Sequence, residues 1–338
     1  PKWLEGMNRM DMNIVPSTFV KEIMSTVGFD ISDDKTKQKT GELKSEKPIE
    51  VLFEGTDTNI FKKVTSYSDE LVEQMKVVEE SFNFLYVGHW LQGGMGKDRK
   101  DTGMLVKVFL ETFKNKKKKP GLIMKTSGAG FSILDREDIL GRIQGIKTSV
   151  KGDLPNIYLL HGDFTDIEMN ELNNHPKVKA HINLTHGEGF GRPLLEASIS
   201  QKPVIASNWS GHKDFLPETS AIMLNGSLQD VEKGSVPDDY LINGTQWFTV
   251  NYQHASAAMK DVYTNYKKYT LNAKKLGVVN KSKFSLQAMT NKLGKILDKY
   301  VPEFPKEVEL QLPKLKKAGS TDTSTELPKI KLPKLKKV

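Results

Sequence analysis

Two glutamates flank a glycine-rich turn in the segment 185–196, which reads THGEGFGRPLLE. Seven residues separate Glu188 from Glu196, and Pro193 suits the first turn of a helix, where its missing N–H costs nothing. A helix that starts after a glycine turn points free backbone N–H groups and the positive end of its dipole at a bound phosphate. Carboxylates, by contrast, are good acceptors for sugar hydroxyls. The pattern therefore predicts a ligand that carries both phosphate and hydroxyl groups, as a nucleotide sugar does.

Short apolar strands that alternate with helices must position this turn. Strands are predicted at 84–87, 121–125, 157–160, 180–184 and 203–206, and helices at 101–114, 136–148, 166–173 and 193–200. Short buried strands separated by helices are typical of a parallel sheet covered on both faces. Ligands of such sheets bind beyond the carboxyl ends of the strands, so the candidate residues should converge on one rim. The predicted fold class is α/β, a Rossmann-like doubly wound parallel sheet.

The regions on either side of this series are predicted from capping residues and periodicity. The N-terminal predictions are a helix, a brief strand at 13–16, a helix at 18–26 capped by Ser17, a surface loop at 31–47, a strand at 48–53, and a linker at 62–80 that is compatible with a helix. Residues 251–300 are predicted to be helical, and the last helix, 282–300, is amphipathic.

The composition narrows the class of protein. The chain has 338 residues, enough for two domains, with a net charge of +8 and no cysteine. A chain without cysteine forms no disulfides, which fits a reducing compartment, and we expect a cytoplasmic protein. No apolar stretch approaches the length of a membrane span and no signal peptide is visible, so no transmembrane segment is expected.

Half of the net positive charge lies in a C-terminal tail. Residues 303–338 hold nine lysines against five acidic residues and repeat the sequence LPKLKK. Repeated prolines forbid a continuous helix. Two interpretations stay open: a disordered, solubilising tail, or a short motif repeated for avidity toward a docking partner. Nucleic acid is disfavoured as a partner, because few aromatic or arginine residues interleave with the lysines.

The segment 188–196, followed by 203–207, resembles the donor-binding domain of retaining glycosyltransferases with the B-type fold (GT-B), of the group 1 or family 4-like kind. That superfamily uses the pattern Glu-x7-Glu with Gly-Phe-Gly inside it. Other segments resemble its parts in the same order: the end of the acceptor domain at 17–20, the interdomain segment at 48–61, the first donor-domain strand and turn at 84–88, and the base-pocket loop at 162–164. The resemblance covers roughly residues 10–300.

The resemblance implies a domain organisation. It predicts a remnant of the N-terminal acceptor domain at 1–47, an interdomain segment at 48–80, a nucleotide-sugar donor-binding domain at 81–281, a C-terminal helix at 282–302 and the disordered repeat tail at 303–338. The remnant would be part of a second Rossmann-like domain, most of which we expect to precede Pro1. This chain would then supply the donor half of a reaction, and its activity alone stays an open question.

The resemblance also assigns roles to individual residues. Glu188 would contact the hydroxyls of the donor sugar, and Glu196 would bind the ribose diol. Gly189, Phe190 and Gly191 would offer backbone N–H groups to the diphosphate or the sugar, with the Phe190 side chain in the core. Glycine suits such positions because a side chain would block the approach of the ligand.

A basic pair should stabilise the departing diphosphate. The matching segment assigns Arg99 and Lys100 to this role. Relatives have a lysine directly before a glycine, whereas two residues separate Lys100 from Gly103 here, which leaves the register open by a residue or two. Lys125 is a further candidate at the same rim.

Three more residues complete the candidate donor site. Gly88 forms the turn after the first donor-domain strand. Phe164 would either stack on the base or cap the core. His186 would either contact the donor or be an ordinary loop histidine.

The implied activity is hexosyltransferase-like: retaining transfer of a sugar from a nucleoside diphosphate sugar to an unknown glycan, lipid or protein acceptor. No metal is expected, because the sequence has no Asp-x-Asp motif, and no cofactor besides the donor substrate. Two alternatives remain: a non-catalytic module that binds nucleotide sugars or glycans, and a scaffold of a virus or other complex recruited through the LPKLKK tail. A third, modification of a DNA acceptor steered by basic segments, would show steep salt dependence.

Overall fold

The structure is a computed structural model that describes residues 1–33, 35–91, 93–128, 130–235 and 244–302. Residues Pro1–Val301 group into one unit by their contacts. The repeats in 303–338 lie outside the described residues, so the predictions of a disordered tail and of a docking motif stay predictions. The domain boundaries implied by the resemblance also stay predictions.

Short elements precede the central sheet. They are helix α1 (Lys2–Asn8), strand β1 (Asn13–Val15), helix α2 (Thr18–Thr26), strands β2 (Phe29–Ser32), β3 (Lys39–Leu43) and β4 (Ile49–Val51), and helix α3 (Asp69–Lys76). Ser17 caps α2 as predicted, because its Oγ accepts a hydrogen bond from the Val20 N–H at 3.2 Å. β1 and β4 pair in parallel.

The prediction of a surface loop at 31–47 is wrong in part, since β2 and β3 form an antiparallel hairpin there. No side chain of the two strands is buried. The hairpin therefore has no buried face, and its second strand, β3 (KTGEL), lacks the apolar alternation by which a half-buried strand is recognised.

Strands and helices then alternate to form the central layer. They are β5 (Asn83–Val87), α4 (Thr102–Phe113), β6 (Gly121–Lys125), α5 (Ile133–Ser149), β7 (Ile157–Leu160), α6 (Asp166–Asn174), β8 (Val178–Asn183), α7 (Arg192–Ile199) and β9 (Val204–Ser207). A 3₁₀ turn at Gly211–Asp214 leads to β10 (Ile222–Leu224). The strands and helices predicted for this region are confirmed, with shifts of a few residues at their ends.

These strands form one parallel sheet of six strands within the described residues, in the order β10-β9-β8-β5-β6-β7. The chain runs outward from β5 to β7, returns to the other side of β5 at β8, and runs outward again to β10. The direction of the order therefore reverses between β5 and β8. A reversal of this kind opens a crevice beyond the carboxyl ends of the two strands, where doubly wound proteins bind ligands.

Helices cover both faces of the sheet, as the predicted doubly wound fold requires. Phe84 and Tyr86 of β5 pack into a cluster with Phe109 of α4. Leu85 points the other way and packs with Leu71 of α3, because successive side chains of a strand alternate between faces. The predicted Rossmann-like α/β fold class is confirmed.

The C-terminal region adds a hairpin and further helices. They are β11 (Gly226–Asp230), β12 (Gln246–Val250), α8 (Tyr252–Thr264), α9 (Tyr266–Lys283) and α10 (Leu286–Tyr300). Neither β10 nor the β11–β12 hairpin is predicted from the sequence, because β10 has three residues and every side chain of β11 is exposed. Within the described ranges, no helix combines the length and the apolar character that crossing a membrane requires.

The last helix begins later than predicted. α9 ends at Lys283 and α10 begins at Leu286. Ser285 separates them, since its Oγ accepts a hydrogen bond from the Ala288 N–H at 3.1 Å and caps α10. Phe284 fills the break and is buried.

Candidate functional site

The crevice between β5 and β8 brings together three of the predicted site residues. Arg99 and Lys100 lie on the loop after β5, and Glu188 lies on the loop after β8. The two loops are joined, because the His186 N–H donates to the Arg99 carbonyl at 3.0 Å. Lys100 Nζ lies 2.5 Å from Glu188 Oε1. The Arg99 guanidinium donates to the Gly187 carbonyl at 2.9 Å and lies 3.5 Å from Glu188 Oε2.

The ion pair between Lys100 and Glu188 is largely shielded from water. The two side chains are 11% and 9% exposed, whereas that of Arg99 is 50% exposed. Burial acts to raise the pKa of Glu188, but Lys100 and Arg99 outweigh it and hold this pKa below its ordinary value. Burial lowers the pKa of Lys100 despite the adjacent carboxylate. Each charge depends on the other, so removing either one leaves a buried charge without compensation unless a ligand replaces it.

Two aspartates with no role predicted from the sequence hold the basic pair in place. The Asp98 carboxylate accepts a hydrogen bond from the Thr102 N–H at 2.9 Å, at the start of α4. Asp101 has a left-handed backbone, with φ 53°, and its Oδ2 accepts from the Tyr252 hydroxyl at 2.8 Å. The turn between the aspartates therefore fixes the backbone of Lys100. A carboxylate just before a helix is a capping signal that the sequence could have revealed.

His186 lies behind this ion pair, in a buried position. Its Nδ1 contacts the Phe248 carbonyl at 2.8 Å, and its ring stacks on Trp247 with centroids 4.0 Å apart. Its Nε2 lies 3.9 Å from Asp101 Oδ1. Neither of these two atoms has a hydrogen-bond partner among the described residues. Burial lowers the pKa of His186, which favours the neutral ring. A contact between His186 and the donor stays a prediction.

Replacing Asp101 by Asn is expected to stabilise the protein at neutral and higher pH. Burial raises the pKa of Asp101 to about 7, whereas an unfolded aspartate titrates near ~3.9. The folded state therefore loses stability as the pH rises between these values, by at most about 1.4 kcal/mol per pH unit. Asparagine has no charge to bury, and it tolerates a left-handed backbone. The gain in Tm should thus be larger at about pH 8 than at about pH 5.

The exposed carboxyl of Asp163 provides the matched control for this prediction. Asp163→Asn should leave Tm nearly unchanged at both pH values. An Asp101→Asn gain that is the same at both pH values would show that the buried carboxyl is not the source of the effect.

The glycine turn after β8 is braced by the loop after β9. The Glu188 N–H donates to Ser210 Oγ at 2.8 Å, and the Gly211 N–H donates to the Glu188 carbonyl at 3.0 Å. A Cβ at Gly211 would lie 2.1 Å from the Gly189 carbonyl oxygen, so the two backbones touch. Gly191 has φ 97° and precedes α7 without a side-chain cap. The start of α7 therefore lies beside Glu188, and its N–H groups donate to no capping side chain. Pro193 has no N–H, and the Leu194 and Leu195 N–H groups donate to the Gly191 carbonyl at 2.9 and 3.2 Å.

Phe190 anchors this turn to the core, as predicted for its side chain. The side chain is 1% exposed. Its ring lies 5.0 Å from that of Phe215 and 6.1 Å from that of Phe284, measured between centroids. Only the backbone of Phe190 is then available to a ligand.

Glu196 lies one turn into α7 and is 5% exposed. Its Oε1 forms an ion pair with Arg192 Nε at 2.8 Å. The guanidinium of Arg192 also lies 3.7 Å from Asp166 Oδ1, at the start of α6. Burial raises the pKa of Glu196 to about 7, although Arg192 acts in the opposite direction. This carboxyl keeps the capacity to accept hydrogen bonds from a ligand.

Lys125 lies with the predicted base loop, apart from the Arg99 and Lys100 pair. Its Nζ donates to the Gly162 carbonyl at 2.7 Å and lies 4.7 Å from the centroid of the Phe164 ring. Gly88 follows β5 next to it, and its N–H donates to the Lys125 carbonyl at 3.2 Å. The predicted donor residues therefore form two groups along the same edge of the sheet.

The described part of the chain contains no group of three or more His, Asp or Glu side chains placed to hold a metal ion. The expectation that no metal or cofactor takes part stays a prediction.

No known family model matches the sequence, and no curated protein matches it. Solved structures do resemble it. A sucrose-phosphate synthase from Thermosynechococcus elongatus has 15% sequence identity and a TM-score of 0.58, over 88% of this chain and 60% of its own. HepE from Anabaena, in complex with UDP and glucose, has 14% identity and a TM-score of 0.58, over 88% of this chain and 66% of its own.

A glycosyltransferase from Rickettsia africae has 17% identity and a TM-score of 0.56, over 88% of this chain and 67% of its own. Likeness at such low identity shows the fold alone, and that fold is the predicted Rossmann-like α/β architecture. The chain spans 60% and 66% of the length of the first two of these structures.

Proposed function

We propose that this chain binds a nucleoside diphosphate sugar in the crevice between β5 and β8 and takes part in glycosyl transfer. The observation that carries the proposal is the shielded contact of Lys100 with Glu188, 2.5 Å long, beside the uncapped start of α7. A cation and a helix N-terminus suit a diphosphate, and a carboxylate suits the sugar hydroxyls. The solved structure of HepE with UDP and glucose, which has a similar fold, agrees with this ligand class.

Each part of the donor has a proposed contact. Lys100 and the half-exposed Arg99 would bind the diphosphate together with the Arg192 N–H at the start of α7. Glu188 would then accept hydrogen bonds from the sugar. Glu196, one turn further along α7, would bind the ribose diol. Because Glu188 holds Lys100 in the free protein, donor binding exchanges one partner of Lys100 for another.

The proposed reaction is a displacement at the anomeric carbon with retention of configuration. The bond from this carbon to the diphosphate oxygen breaks, and its electron pair leaves with the diphosphate. An acceptor hydroxyl oxygen forms the new bond on the same face, and its proton passes to an oxygen of the departing diphosphate. Lys100 and Arg99 stabilise the charge that develops on the leaving group, which is the work that a divalent cation would otherwise do.

The proposal includes a metal-independent reaction without a cofactor, in the cytoplasm. The acceptor would be a glycan, a lipid or a protein. Since the chain spans 60% and 66% of the length of two structures of similar fold, the turnover of a complete enzyme is part of the proposal as well.

A thermal-shift panel of nucleotide sugars tests the donor site, with Glu196→Gln as the variant. At least one donor should raise the Tm of the original protein. The variant should bind that donor about tenfold or more weakly, because a charge-assisted hydrogen bond contributes about 1.5–3 kcal/mol. It should also lose the preference for ribose over 2′-deoxyribose. Glu137→Gln, an exposed change on α5, is the matched control. Equal shifts in Glu196→Gln, or no shift with any donor, would refute the site.

The affinity for the donor is expected to rise with pH. The pKa of Glu196 is about 7 in the free protein, so the carboxylate that accepts the diol becomes more populated as the pH increases through neutrality. Isothermal titration with a nucleotide sugar between about pH 6 and about pH 8 measures this. The trend should disappear in Glu196→Gln. A trend of the same size in both proteins would assign it to another group.

A further inference from the structure

Two lysines lie side by side at the edge of the sheet opposite the candidate donor crevice. Lys179 is the second residue of β8, and Lys202 stands two residues before Val204, which begins β9. His181 pairs with Val204 in the parallel register. Lys179 and Lys202 each stand two residues earlier, so they are neighbours on adjacent segments. Like charges on neighbouring strands repel each other, which makes this an unfavourable place for a second lysine.

Two further lysines join this pair from other elements. The loop that carries Lys63 is tied to the end of α6, because Asn174 Nδ2 donates to the Lys62 carbonyl at 2.9 Å. Lys274 lies on α9. Burial lowers the pKa of Lys63, and the charges of Lys274 and Lys179 lower it further. The lysines therefore act on one another as one cluster of positive charge.

Lys202 is the innermost member of this lysine cluster. It is 7% exposed, and its Nζ donates to the His175 carbonyl at 2.7 Å. An ammonium group has three N–H donors, and the described residues offer this Nζ no second acceptor. Burial lowers the pKa of Lys202 to about 6, and the charges of Lys63 and Lys179 act in the same direction.

No carboxylate compensates the lysine cluster within the described part of the chain. The charges that act on Lys63 and Lys202 are all positive. The Glu171 carboxylate on α6 accepts instead from the Ser68 N–H and hydroxyl, at 2.9 and 2.8 Å. A buried cation without an anionic partner costs free energy, and a bound anion would offset that cost.

Helix ends account for only part of the positive charge. α6 ends at Asn174 and α7 ends at Ile199, both beside the cluster. The C-terminus of a helix carries roughly half a negative elementary charge. The two ends together therefore offset about one of the four lysine charges. Most of the positive charge is left for a ligand.

We propose that Lys63, Lys179, Lys202 and Lys274 form a binding site for a small polyvalent oxyanion of the phosphate or sulfate class. The exposed Lys63 and Lys274 would attract the ion. The half-buried Lys179 and the buried Lys202 would donate hydrogen bonds to its oxygens. The length of β8, about 20 Å, separates this anion site from the candidate donor crevice. The inference is independent of the proposed function.

The affinity for sulfate should fall as the pH rises. Sulfate stays a dianion near neutral pH, so any trend belongs to the protein. An anion stabilises the Lys202 ammonium, whose pKa is about 6 in the free protein, and binding above this pH therefore takes up a proton. The Kd should rise by up to about tenfold per pH unit between about pH 6.5 and about pH 8. The other titratable groups around Lys202 are Lys63, Lys177, Lys179, His175, His181 and Tyr67. The two histidines have pKa values of about 4 and about 3 and stay neutral in this range.

Isothermal titration with sodium sulfate at constant ionic strength tests the anion site. Lys179→Met should raise the Kd for sulfate about tenfold or more, because it removes a charge-assisted hydrogen bond. Lys202→Met should abolish the pH dependence of the residual binding. Lys260→Met, which removes an exposed lysine of α8, is the matched control and should leave the Kd nearly unchanged. Inorganic phosphate and glycerol phosphate, titrated in the same way, distinguish a free ion from the phosphate group of a larger molecule. Tighter binding of either one supports the site.

Three results would overturn the anion site. One is the absence of sulfate binding by the original protein. Another is equal weakening in Lys179→Met and Lys260→Met, which would mean that sulfate responds only to net charge. The last is displacement of sulfate by excess UDP, which would place the anion in the donor crevice and leave the proposed function standing. The Lys179→Met result decides the matter even if Lys202→Met does not fold.

Discussion

Glu188→Gln is expected to tighten the binding of a nucleoside diphosphate while it removes most of the transfer activity. In the free protein Glu188 occupies Lys100 at 2.5 Å, so a diphosphate must compete with this carboxylate. Glutamine removes the competing negative charge. The contact of a phosphate with the shielded Lys100 ammonium then contributes more to the free energy of binding. We expect the Kd for UDP to fall by about tenfold, equivalent to about 1.4 kcal/mol.

In the same variant, the sugar should no longer increase the affinity for the donor. In the original protein the sugar adds contacts with Glu188, and charge-assisted hydrogen bonds of this kind contribute about 1.5–3 kcal/mol. Glu188→Gln should therefore bind UDP and the corresponding UDP-sugar with similar Kd. Release of UDP from the donor should slow by about 100-fold.

Titration calorimetry and a coupled assay for UDP release measure the two effects separately. Glu137→Gln serves as the control, since it removes an exposed charge on α5. A Glu188→Gln protein that binds UDP more weakly would mean that Glu188 supports the phosphate site and does not compete with it.

Lys100→Met is expected to have the largest effect of any single change on diphosphate binding. It removes the shielded cation and leaves Glu188 charged and 9% exposed beside the start of α7. Both effects oppose an incoming diphosphate. We expect the affinity for UDP to drop by about 100-fold or more. The free energy of unfolding should also fall, by as much as about 3–5 kcal/mol if the pair behaves as a buried one.

A double variant separates the structural loss from the loss of binding. Lys100→Met combined with Glu188→Gln leaves no unpaired charge, so most of the stability should return while UDP binding stays weak. Lys97→Met is the matched control: Lys97 lies on the same loop, is 44% exposed and pairs with Glu232. Chemical denaturation and UDP titration measure these outcomes. Recovery of UDP binding in the double variant would mean that Lys100 acts only by neutralising Glu188.

The sequence predicted the parallel sheet because its strands are short, apolar and separated by helices. It also placed Arg99, Lys100 and Glu188 at one rim, because loops that follow parallel strands share an edge. The sequence leaves open, by a residue or two, whether Lys100 aligns with the lysine that relatives have directly before a glycine. Asp98 and Asp101 fix that register by capping α4 and by bonding to Tyr252, and Tyr252 lies far away along the chain.

Contacts between distant loops account for the rest of what the sequence could not predict. His186 is an ordinary loop histidine by pattern, but the structure buries it between Trp247 and Asp101. The hairpin that supplies Trp247 has an exposed strand, β11, without an apolar pattern. Lys125 was grouped with the basic pair by its place at a strand end, whereas its contacts are with Gly162 and Phe164. Such pairings depend on side-chain direction, which periodicity does not encode.

A crystal structure of the chain with UDP bound is the most direct test of the exchange at Lys100. We expect a phosphate oxygen within hydrogen-bond distance of Lys100 Nζ and of an N–H group at the start of α7. We also expect Glu188 to move away from its present position, 2.5 Å from Lys100. An ordered UDP elsewhere on the protein, with the contact between Lys100 and Glu188 unchanged, would show that Lys100 is not the ligand of the diphosphate.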